Sequence, residues 1–310
     1  MIHSYLPHLR SHHMRAILLA TGLLIAGRST AGAKDGILVL AHGGHTEWNE
    51  IVYQAVAPLE KAFAVEYGLV IEDQQAMAKA VKSLEAKGAD RIAVVRMFMS
   101  GESFLPESEY LFGVTDQAPS EGPTIPDGAD GAEEQRPGRR WEPIQSKADI
   151  RVSRQGVADS SLVGEILADR VKALSESPQR ERVLVLGHGP AESEAANERW
   201  LSKMHLAVQE IWAIGPFVHV ACETTWEDRP DRHEEALMRI RRYIEEGAKN
   251  GERVIVVPFR IAGFGRYAEM LEGLEYVSDG LGLCPHPNMT RWILQTAEDC
   301  FAAREQAALR

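Results

Sequence analysis

The chain has 310 residues, 45% hydrophobic and 25% charged, the balance of a folded globular protein rather than a disordered or fibrous one. Its net charge of -11 argues against a nucleic-acid partner, since phosphate binding needs a basic face. Cys222, Cys284 and Cys300 show no CxxC spacing, which argues against a thiolate zinc site or a disulfide framework.

Length alone suggests two domains of ordinary size. Residues 1–33 carry the marks of a secretory signal peptide. A basic stretch from Arg10 to Arg15 precedes an apolar run from Ala16 to Ala26, and small residues follow from Ser29 to Ala33. Met14 offers an alternative start. The apolar run is shorter than the about 20 residues a bilayer span needs. Export to the periplasm, with no stable membrane span after cleavage, is therefore expected; a buried first helix or uncleaved anchor is the alternative, and an uncleaved N-terminus that is no signal would leave the protein cytoplasmic.

From Gly36 the pattern is strand, helix, strand, helix, strand. Ile37 to Ala41 is a continuous aliphatic run, as in a parallel strand buried on both faces, and it ends in His42-Gly43-Gly44. Thr46 reads as a helix N-cap, with Trp48, Ile51, Val52, Ala55, Val56, Leu59 and Phe63 on one stripe and a break expected at Pro58. Gly68 to Ile71 reads as a second strand. Met77, Ala80, Val81 and Leu84 mark a second helix closed at Gly88. Arg91 to Met99 is a third strand, ending at Gly101-Glu102-Ser103. From about Pro106 to Lys147 the composition turns to Pro, Gly, Asp, Glu and Gln. This stretch reads as a disordered insertion or a mobile loop, with a lid over a cleft as its functional version. Ala148 to Val152 reads as a strand and Ser160 to Leu174 as a helix.

The order then repeats. Val183 to Leu186 leads to His188, and Trp200, Met204, Leu206, Val208 and Ile211 give the helix that follows an apolar face. Phe217 to Cys222 is a strand ending at Glu223, His233 to Lys249 a charged helix, and Arg253 to Ile261 a third strand. Arg91 aligns with Arg253 and Gly101 with Gly263. The fold expected is therefore α/β, two similar βαβ-rich domains with parallel sheets arising by internal duplication, at 36–178 and 181–310.

In each copy a His stands at a strand's carboxyl end, where open α/β sheets place their ligands. A phosphoenzyme role would want an Arg before the His, where Ala41 and Gly187 stand. A hydrolase reading would make Ser103 the nucleophile of an elbow, with Ser278 to Gly280 and His286 completing the constellation, but Leu105 stands where the elbow needs Gly. Metal ligation or proton transfer by His42 and His188 across one cleft explains the duplication, because imidazole binds cobalt, nickel, iron and zinc and exchanges protons near neutrality.

His42 followed by Asn49, and His188 followed by Asn197, resemble the H-G-S-R-x-x-x-x-N signature of the class II chelatases, each Asn one position off the spacing. Val257 to Gly263 resembles the strand-three motif of that family and Gly282 to Asn288 its late G-x-x-P-H-P segment. The likeness, to the duplicated sirohydrochlorin cobaltochelatase type, runs from about Gly36 to Arg304 apart from the insertion. It implies a chelatase-like fold and the ATP-independent, nucleotide-free insertion of a divalent metal, cobalt first and nickel or iron otherwise, into a tetrapyrrole such as sirohydrochlorin. The family's first metal-binding His falls on His42 and its duplicate on His188. Its second His falls on Ser103 and Gly265, neither a good ligand. Glu102, as ligand or proton acceptor, and His45, as a metal ligand, are candidate substitutes. Arg96, Arg260, Arg266, Asn49 and Asn197 are candidate substrate contacts. A non-catalytic binder of metal or tetrapyrrole stays open beside the enzyme, and the oligomeric state is open.

Overall fold

Two parallel sheets carry the architecture of this computed structural model, which describes residues 34–70, 73–120 and 141–307. The signal-peptide reading falls on residues 1–33, outside the described residues. Strand β1 (Lys34–Ala41) runs into α1 (Thr46–Val56), and a 3-10 turn over Ala57–Lys61 accommodates Pro58. There follow β2 (Ala64–Leu69), α2 (Gln74–Ala86), β3 (Ala89–Arg96), α3 (Leu105–Leu111), β4 (Asp149–Val152) and α4 (Ser161–Leu174). The second series is β5 (Glu181–Gly187), α5 (Glu194–Ala207), α6 (Gln209–Trp212), β6 (His219–Thr224), α7 (Pro230–Lys249), β7 (Arg253–Pro258), α8 (Tyr267–Met270) and α9 (Pro287–Ala307).

The sheet orders are β2-β1-β3-β4 and β6-β5-β7, all pairs parallel. In each sheet the first strand is central and the next two lie on either side of it. The chain therefore crosses over one face and then the other, and a crevice opens where the two crossovers part. That crevice is at the carboxyl end of β1 and of β5, so the strand-end histidines stand at switch points.

Side-chain parity explains the layers. Ile37, Val39 and Ala41 of β1, with Val183 and Val185 of β5, face a core shared by both sheets, filled by residues of α1, α4, α5 and α9. Leu38 and Leu40 face the opposite side, against α2 and α3. Leu184 and Leu186 likewise face α7 and α8. Both faces of β1 and β5 are therefore apolar, which is why these strands read as unbroken aliphatic runs rather than alternating ones.

The middle layer joins the halves by exchange. Helix α4, from the first half, packs on α5, α6 and β7, whereas α9, from the second, packs on β3, α1 and α4. Thr290 Oγ1 donates to Ala55 O at 2.6 Å, and Arg170 donates to Gly282 O and Pro285 O, at 3.3 and 2.9 Å. The described residues form one compact unit.

Several boundaries differ from the sequence pattern. His45, not Thr46, is the N-cap of α1, its Nδ1 accepting from Trp48 N at 3.4 Å. Strand β2 begins at Ala64, earlier than Gly68. Leu206 is 74% exposed, on the outer face of α5. The stretch from Pro106 to Lys147 is not wholly without structure. Leu105–Leu111 is a helix, and Leu111, Phe112 and Trp141 are buried against the outer face of the first sheet, which supplies the apolar surface that the local composition lacks. Residues 121–140 lie outside the described residues. Among the described residues no helix is long and apolar enough to cross a membrane.

Candidate functional site

His42 and His188 leave their strands at equivalent points, and each loop is fastened from below. Asn49 clasps Gly44 on both sides, its Oδ1 accepting from Gly44 N and its Nδ2 donating to Gly44 O, each at 3.1 Å. Asn197 is buried, and its Oδ1 accepts from Thr224 Oγ1 at 2.7 Å, directly beneath Gly189. The loop after β6 closes over the second histidine's backbone: Thr225 N donates to Gly187 O at 2.9 Å and Thr225 Oγ1 to His188 O at 3.3 Å. Asn49 therefore holds the first His-Gly loop in place, whereas Asn197 is tied to Thr224 of β6 beneath the second.

The two imidazoles lie near enough to act on one another electrostatically. Charge on His42 disfavours charge on His188, and Asp228 of the second half acts on His42 of the first. His42 makes T-shaped ring contacts with Phe98 and Phe104, with ring centroids at 4.8 and 5.4 Å. His42 is an exposed residue, yet desolvation lowers the pKa of its imidazole, partly offset by the carboxylate of Asp228. His188 packs edge-on against Trp200 at 4.9 Å. Burial first, then the Arg260 guanidinium and His42, push its pKa down to about 4. At neutral pH His188, and by the direction of its shift His42, carry a lone pair rather than a second ring proton, the form a metal needs.

The other candidates are drawn elsewhere. His45 spends Nδ1 on capping α1. Glu102 is 72% exposed on its side chain and forms an ion pair with Arg199 at 3.0 Å, a link between the halves rather than a group aimed at His42. Arg96 is buried, donating from Nη1 to Gly101 O and Ser153 O at 3.1 and 3.0 Å and from Nη2 to Ser103 O. It is a clamp on the loop after β3, not a substrate contact. Arg266 points outward beside Glu269, 3.9 Å away. Arg260 alone of the three arginines reaches the space around a histidine. The hydrolase constellation is not assembled: His286 Nε2 lies 3.3 Å from Asp169 Oδ2 and its Nδ1 accepts from Asn288 N, while Phe104 rather than Ser103 takes the left-handed turn, φ 52°.

Among the described residues no three His, Cys, Asp or Glu side chains come together as a metal-binding group. The site consists of two imidazoles, with carboxylates further out. An open recess of about 620 Å³, lined by Leu174, Arg253, Phe264 and Tyr276 among others, borders β7 and includes neither imidazole. Phe98, Phe104 and Asp228 were not marked by any motif. Superposing the two halves in sequence would have drawn attention to Phe98, which stands opposite Arg260.

No protein-family model matches the chain. SirB from Bacillus subtilis, solved with Fe3+, superposes with a TM-score of 0.56 at 14% identity, covering 88% of this chain and 98% of that one. The sirohydrochlorin chelatase SirB from Bacillus subtilis subspecies spizizenii, solved with cobalt, gives 0.51 at 14% identity over 86% and 95%. The protein has a class II chelatase-like fold. A multi-domain protein of Deinococcus radiodurans, described as structurally similar to chelatases, matches this chelatase-like fold at 0.53 and 17% identity, over 86% of this chain and 55% of that one. Over 82 residues the chain is also 33% identical to sirohydrochlorin cobaltochelatase of Saccharolobus solfataricus. That match covers 26% of this chain and 64% of the curated relative, so the chain spans less than two thirds of it.

Proposed function

We propose that the protein is a chelatase that inserts a divalent metal ion, cobalt first among the candidates, into a tetrapyrrole of the sirohydrochlorin class. The observation that carries this reading is the pair of strand-end imidazoles, one at the carboxyl end of the central strand of each half and close enough for the charge of one to act on the other. The likeness to sirohydrochlorin chelatases supports the substrate class.

In this reading the metal is a substrate. The neutral His42 nitrogen takes it from solution, between Phe98 and Phe104, whose apolar edges leave the ion few other partners. Entry of a dication into the macrocycle releases two pyrrole protons. As the metal leaves His42, the freed nitrogen can take one of them, with the Asp228 carboxylate stabilising the imidazolium that results, and the other passes to solvent water beside the exposed His42. His188, held near 4, stays neutral and passes no proton at physiological pH. A second reading is binding of tetrapyrrole or metal without turnover.

Anaerobic incubation with Co2+ and sirohydrochlorin, followed by absorbance, separates the two. The chelatase reading expects a rate above the spontaneous one that His42→Ala removes. A wild-type rate equal to the spontaneous rate, with Co2+ still bound, leaves the binder.

A further inference from the structure

The duplication allows the residues after the third strands to be matched by hydrogen bonds. Met97 N donates to Leu40 O and Phe259 N to Leu186 O, both at 2.7 Å. Leu40 and Leu186 each stand two residues before the strand-end histidine. Phe98 and Arg260 therefore occupy the same place in the two halves. In the first half that place puts Phe98 in a T-shaped ring contact with His42; in the second, where Leu186 pairs with Pro258, it puts Arg260 alongside His188.

Two further observations show that the guanidinium is built in. A Cβ on Gly265 would lie 1.9 Å from Arg260 Nη1, so Arg260 fills the volume a side chain at that position would take. It rests over the ring of Tyr267, 5.2 Å from the centroid, and Nη1 makes a long 3.4 Å hydrogen bond to Phe264 O. No carboxylate among the described residues pairs with it. A fixed cation with unspent donors, set beside an imidazole, repels a metal dication and fits a carboxylate, for which its planar fork is shaped.

We propose that the duplicated half-sites have divided their roles: the His42 side receives the metal cation, and the His188–Arg260 side is an anion site that holds a carboxylate on the edge of the macrocycle. The identity of the macrocycle rests on the chelatase reading; the anion site itself does not.

The test uses the full-length chain and binding alone. Titration calorimetry with Co2+ is expected to give one ion per chain, lost in His42→Ala and kept in His188→Ala. Uroporphyrin, a polycarboxylate porphyrin, is expected to quench protein fluorescence on binding, with affinity falling at least about tenfold in Arg260→Gln and less in Arg260→Lys. Arg260→Phe, which recreates the first half's arrangement, is expected to admit a second Co2+, with circular dichroism confirming that it folds. Two Co2+ ions on the wild type, or unchanged porphyrin affinity in a folded Arg260→Gln, overturns the division. An absent chelatase rate with these binding results intact removes the proposed activity and leaves the anion site standing.

Discussion

Replacing His188 should flatten the acid side of the stability profile. In the unfolded chain the imidazole has its ordinary pKa of 6.5, and in the folded protein it is held at about 4. Each unit of displacement is worth about 1.4 kcal/mol, so the full displacement amounts to at most about 3 kcal/mol. The sign follows from which state binds the proton. Above 6.5 neither state does, and His188 contributes nothing to the pH dependence. Between 6.5 and 4 the unfolded chain takes a proton that the folded one refuses, so stability is lost as pH falls through this window and the loss is complete near 4. Urea unfolding of the wild type and of His188→Asn, at intervals from pH 7 to pH 4, measures the difference directly. The wild type should lose about 3 kcal/mol more than the variant over that range, with unchanged denaturant slope. Parallel curves for the two proteins would refute the claim that the folded state holds this imidazole neutral. His42 shifts in the same direction, so some acid sensitivity remains in the variant.

Two substitutions away from the imidazoles test the supports beneath them. Arg96→Met leaves the carbonyls of Gly101, Ser103 and Ser153 without their buried donor, and a loss of about 3–5 kcal/mol is expected in urea unfolding at neutral pH. Asn197→Ala strands the buried Thr224 hydroxyl and should cost about 1–3 kcal/mol, whereas Thr224→Val in the same background should recover part of it, because the orphaned group is then gone.

The strands and their histidines were legible because burial on both faces forces a strand to be aliphatic throughout, and two such runs ending in His-Gly cannot be mistaken for amphipathic segments. The exchange of α4 and α9 was not legible. An apolar helix face states that it must be covered, not by which sheet, and the shared core accepts either. Leu206 shows the limit of periodicity, since it falls near the apolar stripe of α5 yet projects past the edge of the core. Among the site residues, Arg96, Arg260 and Arg266 look alike in sequence, each near the end of a third strand. Their fates part by direction. Arg96 lies on the face of β3 turned toward α2 and α3 and is captured by three carbonyls, Arg266 follows a turn and faces solvent, and Arg260 alone reaches the histidine. The spacing that suggests a substrate contact at Asn49 also suits a clasp on the preceding loop, which is the bond the structure shows for it.

An internal duplication begins with two equal sites, and equal sites are a poor fit to a macrocycle that is apolar and metal-binding at its centre and acidic at its rim. The two histidines here are alike in backbone and unlike in company. One has Phe98 and Phe104 in ring contact and Asp228 across the gap, whose carboxylate offsets part of the cost of positive charge there. The other has Trp200 at its edge and Arg260 at hand, whose guanidinium adds to that cost. The substitution of one residue, aromatic in the first half and cationic in the second, is enough to account for the difference. The lack of a side chain at Gly265 is its steric counterpart, since the guanidinium could not lie where it does beside any larger residue. The symmetry of the fold therefore fixes where ligands meet the protein, and the asymmetry of two side chains decides which part of the ligand each half receives.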